Sequence, residues 1–249
     1  MNRFFAKKGV FRWLRRCAVL GGVWAGAAAA GEPVRLVDSP TAGLVPKGRF
    51  AADLRFFAGG GLLGQAQAGA LRRLTIGLSF GGERLIGSGA VDWYPRVEPI
   101  VRYRLVEESQ ALPALVLGYE SQGYGAYLDG RYEVRSKGFF AAASKNYLSP
   151  LGQFGIHLGV NRSREEGDRE LSGWLGVDKG VNEELWLCAE YDLARDDGGI
   201  GRGRGYFNVG LHWSPAPGLG LAALWRDLRG NGPAGEPSRE LGVRYTESF

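Results

Sequence analysis

The stretch "QFGIHLGVN", Gln153 to Asn161, decides the fold class. Its apolar side chains stand at every second position, namely Phe154, Ile156, Leu158 and Val160. A period of two places them on one face of a β-strand and leaves glycine and polar residues on the other face. In a soluble barrel the apolar face points inward, whereas in an outer-membrane barrel it contacts lipid and the interior is wet. The rest of the sequence has to distinguish these two cases.

The first thirty residues predict export. Residues 1–16 carry six basic side chains and no acidic one, and the apolar run "CAVLGGVWAGAAAA" follows at 17–30. A basic start, a short apolar run and small residues at its end are typical of a secretory signal peptide, and the run is short for a membrane-spanning helix. We therefore expect residues 1–30 to be a signal peptide cleaved near Ala30, with an uncleaved anchor as the alternative.

The part of the chain after this leader is close to neutral. The sequence has 31 Lys and Arg against 26 Asp and Glu, and six of the basic residues lie in the leader, which leaves 25 against 26. The composition therefore predicts no nucleic-acid partner. Only Cys188 of the two cysteines follows the leader, so no intramolecular disulfide can form in the exported domain. A closed barrel is stable without one, because all its backbone groups are paired.

The alternation of the opening stretch recurs along the chain. It is clearest in "LWLCAEYDL" (185–193), "YFNVGLHW" (206–213) and "LGLAALW" (219–225). In antiparallel strands, aromatic residues at the strand ends would form the two girdles of an outer-membrane barrel; the candidates are Tyr103, Tyr119, Tyr191, Trp213, Trp225 and Tyr245. The opposite faces are rich in glycine, which suits a narrow interior. A soluble β-sandwich is the alternative.

Connection lengths alternate as well. Long segments such as "SQGYGAYLDGRYEVRSKG" (121–138) are followed by short ones such as "YLSPL" (147–151). Outer-membrane barrels combine short periplasmic turns with longer outer loops in this way. Candidate strands lie near 49–57, 64–70, 74–80, 89–94 and 99–105, with eight more from Leu112 onward. Because such barrels have an even number of strands, thirteen candidates favour twelve strands, with ten as the alternative.

The sequence thus predicts an all-β protein, a single antiparallel transmembrane β-barrel located in the outer membrane. We expect an N-terminal periplasmic segment at 31–48 and the barrel at 49–249. The final strand ends in Phe249 after apolar residues at period two, which resembles the signal that the barrel-assembly machinery recognises. Glu247 stands where a further apolar residue would be usual. The expected partners are this machinery, outer-membrane lipid and lipopolysaccharide.

Several longer stretches carry a family resemblance. They are "PTAG" (40–43), "LPALVLGYESQGYGAY" (112–127), "RYEVRSKGFFAAASKNY" (131–147), "EYDLARDD" (190–197) and "RELGVRY" (239–245). Together they resemble the YjbH-type outer-membrane barrel family, which is associated with exopolysaccharide biosynthesis and export. The resemblance implies a non-enzymatic accessory role in that process, with polysaccharide as a further partner.

Enzymatic and pore functions are the alternatives. "GLSFG" (77–81) fits the nucleophile-elbow pattern around Ser79, and His157 or His212 could then serve as base of an acyl hydrolase. That pattern needs a strand–turn–helix context, which the flanking glycines do not favour. A small passive pore is the other alternative. We predict no catalytic site, no cofactor and no metal site, since two histidines and one mature cysteine give no metal-site spacing.

The polar faces of the strands supply the candidate lumen residues: His157, Asn161, Glu190, Asp192, Asn208 and His212. If they face inward, Leu187 and Val209 face lipid. An arginine should then be better tolerated at Glu190 than at either apolar position, unless Glu190 has a pairing partner to lose.

Overall fold

A computed structural model describes residues 32–150, 152–167, 170–197, 205–232 and 234–249. The predicted signal peptide lies outside these ranges. In the described part of the chain, no helix is long and apolar enough to cross a membrane. The helical element found there is a three-residue 3-10 turn, Ala58–Gly60, between the first two strands.

In the described residues, twelve antiparallel strands form a closed barrel. They are β1 Arg49–Phe57, β2 Gly61–Leu71, β3 Leu74–Glu83, β5 Glu98–Val106, β6 Ala114–Glu120, β9 Gly138–Ser149, β10 Gly152–Arg162, β11 Ser172–Gly180, β12 Leu185–Asp192, β13 Tyr206–Ala216, β14 Leu219–Arg226 and β15 Ser238–Ser248. Each strand pairs with its neighbours in the barrel, and β1 closes the ring on β15. The predicted fold class and the preferred count of twelve are confirmed.

Three further short strands belong to the connections. The candidate strand near 89–94 is only β4, Asp92–Trp93, a two-residue strand that pairs with the end of β3. A separate hairpin, β7 Tyr124–Leu128 and β8 Arg131–Val134, lies in the long connection between β6 and β9 and was not predicted. The thirteenth candidate was therefore part of a loop, which accounts for the odd number.

The two faces of β10 answer the question raised by its sequence. His157 is 1% exposed, whereas its neighbours Ile156 and Leu158 are 37% and 52% exposed. Gly155, Gly159 and Asn161 are also buried. The apolar series therefore points outward and the polar series inward, as in an outer-membrane barrel.

The two ends of the barrel differ in the length of their connections, as in outer-membrane barrels. Connections 72–73 and 217–218 are short and lie on the side where β1 begins and β15 ends, whereas 84–97 and 121–137 are long and lie on the opposite side. By the rule for outer-membrane barrels, the first side is periplasmic and the second external. Tyr103, Trp213 and Tyr245 lie near the periplasmic ends of their strands, and Tyr119, Tyr191 and Trp225 near the external ends.

The outward face gives a testable prediction. Leu187 is 41% exposed on the outer surface of β12, where it is the third residue of the strand and lies opposite Leu211, the middle residue of β13. A charged side chain there would lie in hydrocarbon, so we expect Leu187→Arg to lower the free energy of unfolding by about 2–4 kcal/mol. The measurement is reversible urea unfolding in lipid vesicles. The matched control is Glu183→Arg in the exposed β11–β12 turn, and an equal loss in both variants would contradict the assigned faces.

Candidate functional site

The lumen of the barrel contains the chain's own N-terminal segment. Residues 32–47, called the lumen segment below, enter at the periplasmic end, where Lys47 bridges to Gly69 and Arg49 pairs with Ser248. This position differs from the periplasmic one expected for 31–48. The reason is that the segment finds hydrogen-bond and ion-pair partners on strands far away in sequence, which periodicity cannot reveal.

The lumen segment folds as a narrow hairpin. Arg35 and Pro40 form an antiparallel bridge, the Leu36 N–H donates to the Ser39 carbonyl at 3.1 Å, and the Thr41 N–H donates to the Val34 carbonyl at 3.1 Å. Aspartate, serine and proline in "VDSP" are residues that favour such a turn. The tip of the hairpin, Val37–Ser39, contacts residues in the external halves of β1, β12 and β14.

Two arginines of the barrel wall hold the aspartate at this tip. Asp38 Oδ1 accepts from Arg55 Nη2 at 2.8 Å, and Asp38 Oδ2 accepts from Arg226 Nε at 2.7 Å. Glu240 accepts from both arginines as well, at 2.7 Å from Arg226 Nη1. Burial by itself would raise the pKa of Asp38, but Arg226 and Arg55 outweigh it and lower that pKa to about 2. Asp38 is therefore ionised at neutral pH.

A second carboxylate of the wall binds the backbone of the tip. Glu190 accepts the N–H groups of Val37, Asp38 and Ser39 at 3.1, 2.9 and 3.0 Å. Asn208 Nδ2 donates to the same carboxylate at 2.8 Å. Because Glu190 is 1% exposed, these contacts replace the water that the carboxylate would otherwise require. One predicted lumen residue, Glu190, thus holds the tip, and a second, Asn208, bonds to Glu190.

Arg35 anchors the hairpin on the other side of the lumen. It donates to Glu120 Oε2 at 2.8 Å and to Gln65 Oε1 at 3.0 Å. Arg102 of the wall also donates to Glu120, with 2.6 Å between Arg102 Nε and Glu120 Oε1. A second nitrogen of Arg102 donates to the Val34 carbonyl of the lumen segment. The lumen segment therefore both completes and shares the ion pairs of the wall.

Apolar contacts fill the remaining space. Leu36 and Val37 pack in one buried cluster with Cys188 and Leu224, and Ala42 and Leu44 pack in another; the wall residues of the second cluster are Ala114, Val116, Phe140, Ala142 and Trp174. The Trp174 indole N–H donates to the Pro40 carbonyl at 3.1 Å. The lumen segment thus packs against the wall through both apolar and polar contacts, and it occupies the lumen.

The external mouth is covered by the unpredicted β7–β8 hairpin. Tyr132 is fully buried, and the centroid of its ring lies 5.0 Å from that of the Tyr94 ring. Glu165 of the next outer loop accepts the N–H groups of Tyr132 and Ser136 at 3.0 and 2.7 Å. The Tyr124 ring centroid lies 4.3 Å from the Arg55 guanidinium carbon and 5.2 Å from that of Arg226. The hairpin therefore lies directly over the arginine pair that holds Asp38.

The other predicted lumen residues lie inside the barrel but away from the tip contacts. Asp192 pairs with Lys137, and Asn161 lies with both around a small cavity below the outer loops. The ring of His212 stacks on that of Trp186, with 3.8 Å between the ring centroids. Sequence reasoning missed the charged residues that do most to hold the lumen segment: Arg55, Arg102, Glu120, Arg226 and Glu240.

The candidate serine nucleophile does not meet a histidine. Ser79 lies within the continuous strand β3, and its hydroxyl bonds to Gln122 Oε1 at 3.0 Å. His157 instead bonds through Nδ1 to Ser144 Oγ at 2.7 Å and through Nε2 to Asp178 Oδ1 at 2.6 Å. Ser144 and His157 are directly opposite in the β9–β10 register, and the Ser144 hydroxyl already accepts the Ala42 N–H at 2.8 Å. We interpret the three residues as an interior polar network that also holds the lumen segment.

Comparison with known proteins gives a likeness of fold. No protein-family model matches the sequence, and no curated protein matches it. A solved KdgM porin in complex with disordered oligogalacturonate has a TM-score of 0.54 and 9% identity, covering 81% of this chain and 99% of that chain. A second KdgM porin structure has a TM-score of 0.52, with 9% identity and the same coverage. The outer membrane protein Omp33 of Acinetobacter baumannii has a TM-score of 0.48 and 8% identity, covering 81% of this chain and 97% of that chain.

The closed twelve-stranded barrel of the described residues, its apolar outer surface and its polar interior define the class to which the fold belongs. It is the outer-membrane β-barrel fold of porins.

Proposed function

We propose that this protein is an outer-membrane channel for small polar solutes, closed at rest by its own lumen segment. The observation that carries the proposal is the kind of contact between segment and wall. Asp38, Arg35 and the N–H groups of the tip bond to charged wall residues, which would line a polar path once the segment withdrew. Buried charges are costly when unpaired, so a wall that carries this many needs either charged partners or water in the lumen.

The fold and the export signal support this function. The solved porins share the fold, and the basic leader with its small-residue end is typical of exported proteins. The alternative of a small passive pore, raised by the sequence, is retained with one change, since the lumen segment occupies the interior in this conformation. As for partners, the assembly machinery would engage β15, and outer-membrane lipid and lipopolysaccharide would surround the outer face.

An accessory role in exopolysaccharide biosynthesis or export is the second candidate, and a specific observation favours it. Two stretches that carry the YjbH-type resemblance build the closure itself. "PTAG" (40–43) forms one arm of the lumen segment, and "SQGYGAY" (121–127) leads into the hairpin over the external mouth. If closure is the property that the resemblance reflects, the two candidates describe one device, and polysaccharide is the solute or partner that it serves.

Weakening the hold on the tip should open the channel. Asp38→Ala leaves Arg55 and Arg226 without this carboxylate, and breaking a buried ion pair typically costs about 3–5 kcal/mol. If that cost falls on the docked state, the ratio of open to closed channels rises roughly a hundredfold to several thousandfold. Single-channel recording in planar bilayers should show brief events for the wild type and long openings for Asp38→Ala.

The matched control is Asp192→Ala. Asp192 is a buried carboxylate of the barrel that pairs with Lys137, and its described contacts do not include the lumen segment. Its removal should leave the channel closed. Equal conductance of Asp38→Ala and the wild type, in variants shown to be inserted and folded, would refute the proposed function.

A further inference from the structure

We propose that Arg55 and Arg226 are the binding site for the carboxylate of a permeating solute, and that Asp38 occupies this site in the closed state. The inference rests on the proposed channel function and deepens it by naming a solute class.

The wall holds each arginine of the pair through one carboxylate. Arg55 lies on β1 and Arg226 on β14, and Glu240 on the intervening strand β15 bonds to both. Among the wall groups that bond directly to one another here, two guanidinium groups share a single carboxylate, so one positive charge of this cluster is left for a further anion. By contrast, Arg102 has a full carboxylate partner in the wall, Glu120. The arginine pair is therefore a site for one further anionic group.

Asp38 shows which kind of group fits. Its two oxygens are divided between the arginines, at 2.8 Å from Arg55 Nη2 and 2.7 Å from Arg226 Nε. The remaining Arg55 nitrogen, Nη1, donates to the neutral Val37 carbonyl at 3.2 Å. The pair thus holds a planar carboxylate together with one nearby uncharged oxygen. Solutes with that arrangement include hydroxy acids and sugar acids.

The location suits a solute that enters from outside. Both arginines lie near the external ends of their strands, directly below the Tyr124 ring of the outer hairpin. Because Asp38 belongs to the lumen segment and not to the wall, a solute carboxylate can take its place. Such a solute would compete with the tip and favour withdrawal of the segment.

The test compares glucuronate with glucose, which differ at one carbon by a carboxylate. Ligand-observed saturation-transfer NMR on the purified full chain should show saturable binding of glucuronate to Asp38→Ala and none of glucose. The wild type should bind glucuronate at least about tenfold more weakly, because Asp38 competes for the site. Adding Arg226→Gln to Asp38→Ala should weaken binding by about tenfold or more, since one charge-assisted contact is lost.

Two further variants keep the result interpretable. Arg226→Lys retains the charge without the planar fork and should give intermediate binding, so it serves if the glutamine variant does not fold. Arg239→Gln, at an exposed position on β15, should leave binding unchanged. Binding of glucose as strong as that of glucuronate, or glucuronate binding that Arg226→Gln and Arg226→Lys leave intact, would overturn the assignment. Tighter binding of inorganic phosphate than of glucuronate would also overturn it.

Acetate separates failure of this inference from failure of the channel proposal. It replaces the carboxylate lost in Asp38→Ala and fits even if the lumen segment stays docked. Acetate binding that depends on Arg226, without any conductance, would retain the carboxylate site and refute the channel. Conductance of Asp38→Ala without acetate or glucuronate binding would retain the channel and refute the site.

Discussion

Deletion of residues 33–45 should convert a barrel that is closed most of the time into one that conducts continuously. The deleted residues supply the hairpin that fills the lumen between the periplasmic end and the arginine pair. The wall should persist, because its strands pair with one another through their backbones and β1 begins only at Arg49. Planar-bilayer recording of the deletion variant should therefore show steady current, where the wild type shows brief events.

A peptide supplied in trans gives this experiment its control. A synthetic peptide of residues 33–46, added on the periplasmic side, should block the deletion variant by restoring the contacts with Glu190 and the arginine pair. The same peptide with Asp38→Asn should block less well, because it offers a neutral group to two guanidiniums. A deletion variant that folds, inserts and still fails to conduct would show that the outer hairpin alone closes the barrel.

The barrel itself could be predicted because its signals are local. Alternation at period two in "QFGIHLGVN", aromatic residues at strand ends and the order of long and short connections all depend on residues close together in sequence. The preferred count of twelve strands is confirmed, and the one surplus candidate lies where local information is weakest. Residues 89–94 read as a strand but give only the two-residue β4, because the long outer loop turns away after two pairings.

The closure of the lumen could not be predicted in the same way. Asp38 meets Arg226 across 188 positions and Glu190 across 152, and only the barrel's closure brings these side chains together. The charged wall residues were nevertheless visible in the pattern. Arg102 and Arg104 alternate with Val101, Tyr103 and Leu105, so the rule that placed His157 inside also places these arginines inside. What the pattern lacks is any sign of the partner that neutralises them.

For Glu190, the hydrogen-bond partners that the sequence does not reveal change the expected effect of a substitution. From its face alone, Glu190→Arg should be tolerated better than an arginine at Leu187, unless a pairing partner is lost. The structure supplies that partner, since the carboxylate accepts three backbone N–H groups of the lumen segment and one from Asn208. An arginine is a donor only, so it would leave these donors unsatisfied and bring a further positive charge near Arg55 and Arg226.

We therefore expect Glu190→Arg to expel the lumen segment while the barrel stays folded. Each buried N–H left without an acceptor costs about 1–3 kcal/mol, so the three together disfavour docking by about 3 kcal/mol or more. Glu190→Gln keeps an acceptor oxygen and should release the segment only in part.

The measurement is tryptic cleavage after Arg35, followed by mass spectrometry of the protein in vesicles. Arg35 is bonded inside the lumen when the segment is docked, so cleavage should be slow in the wild type and fast in Glu190→Arg. Glu183→Arg, in an exposed turn, controls for the added charge, and equally slow cleavage in all variants would mean that Glu190 does not hold the segment in place.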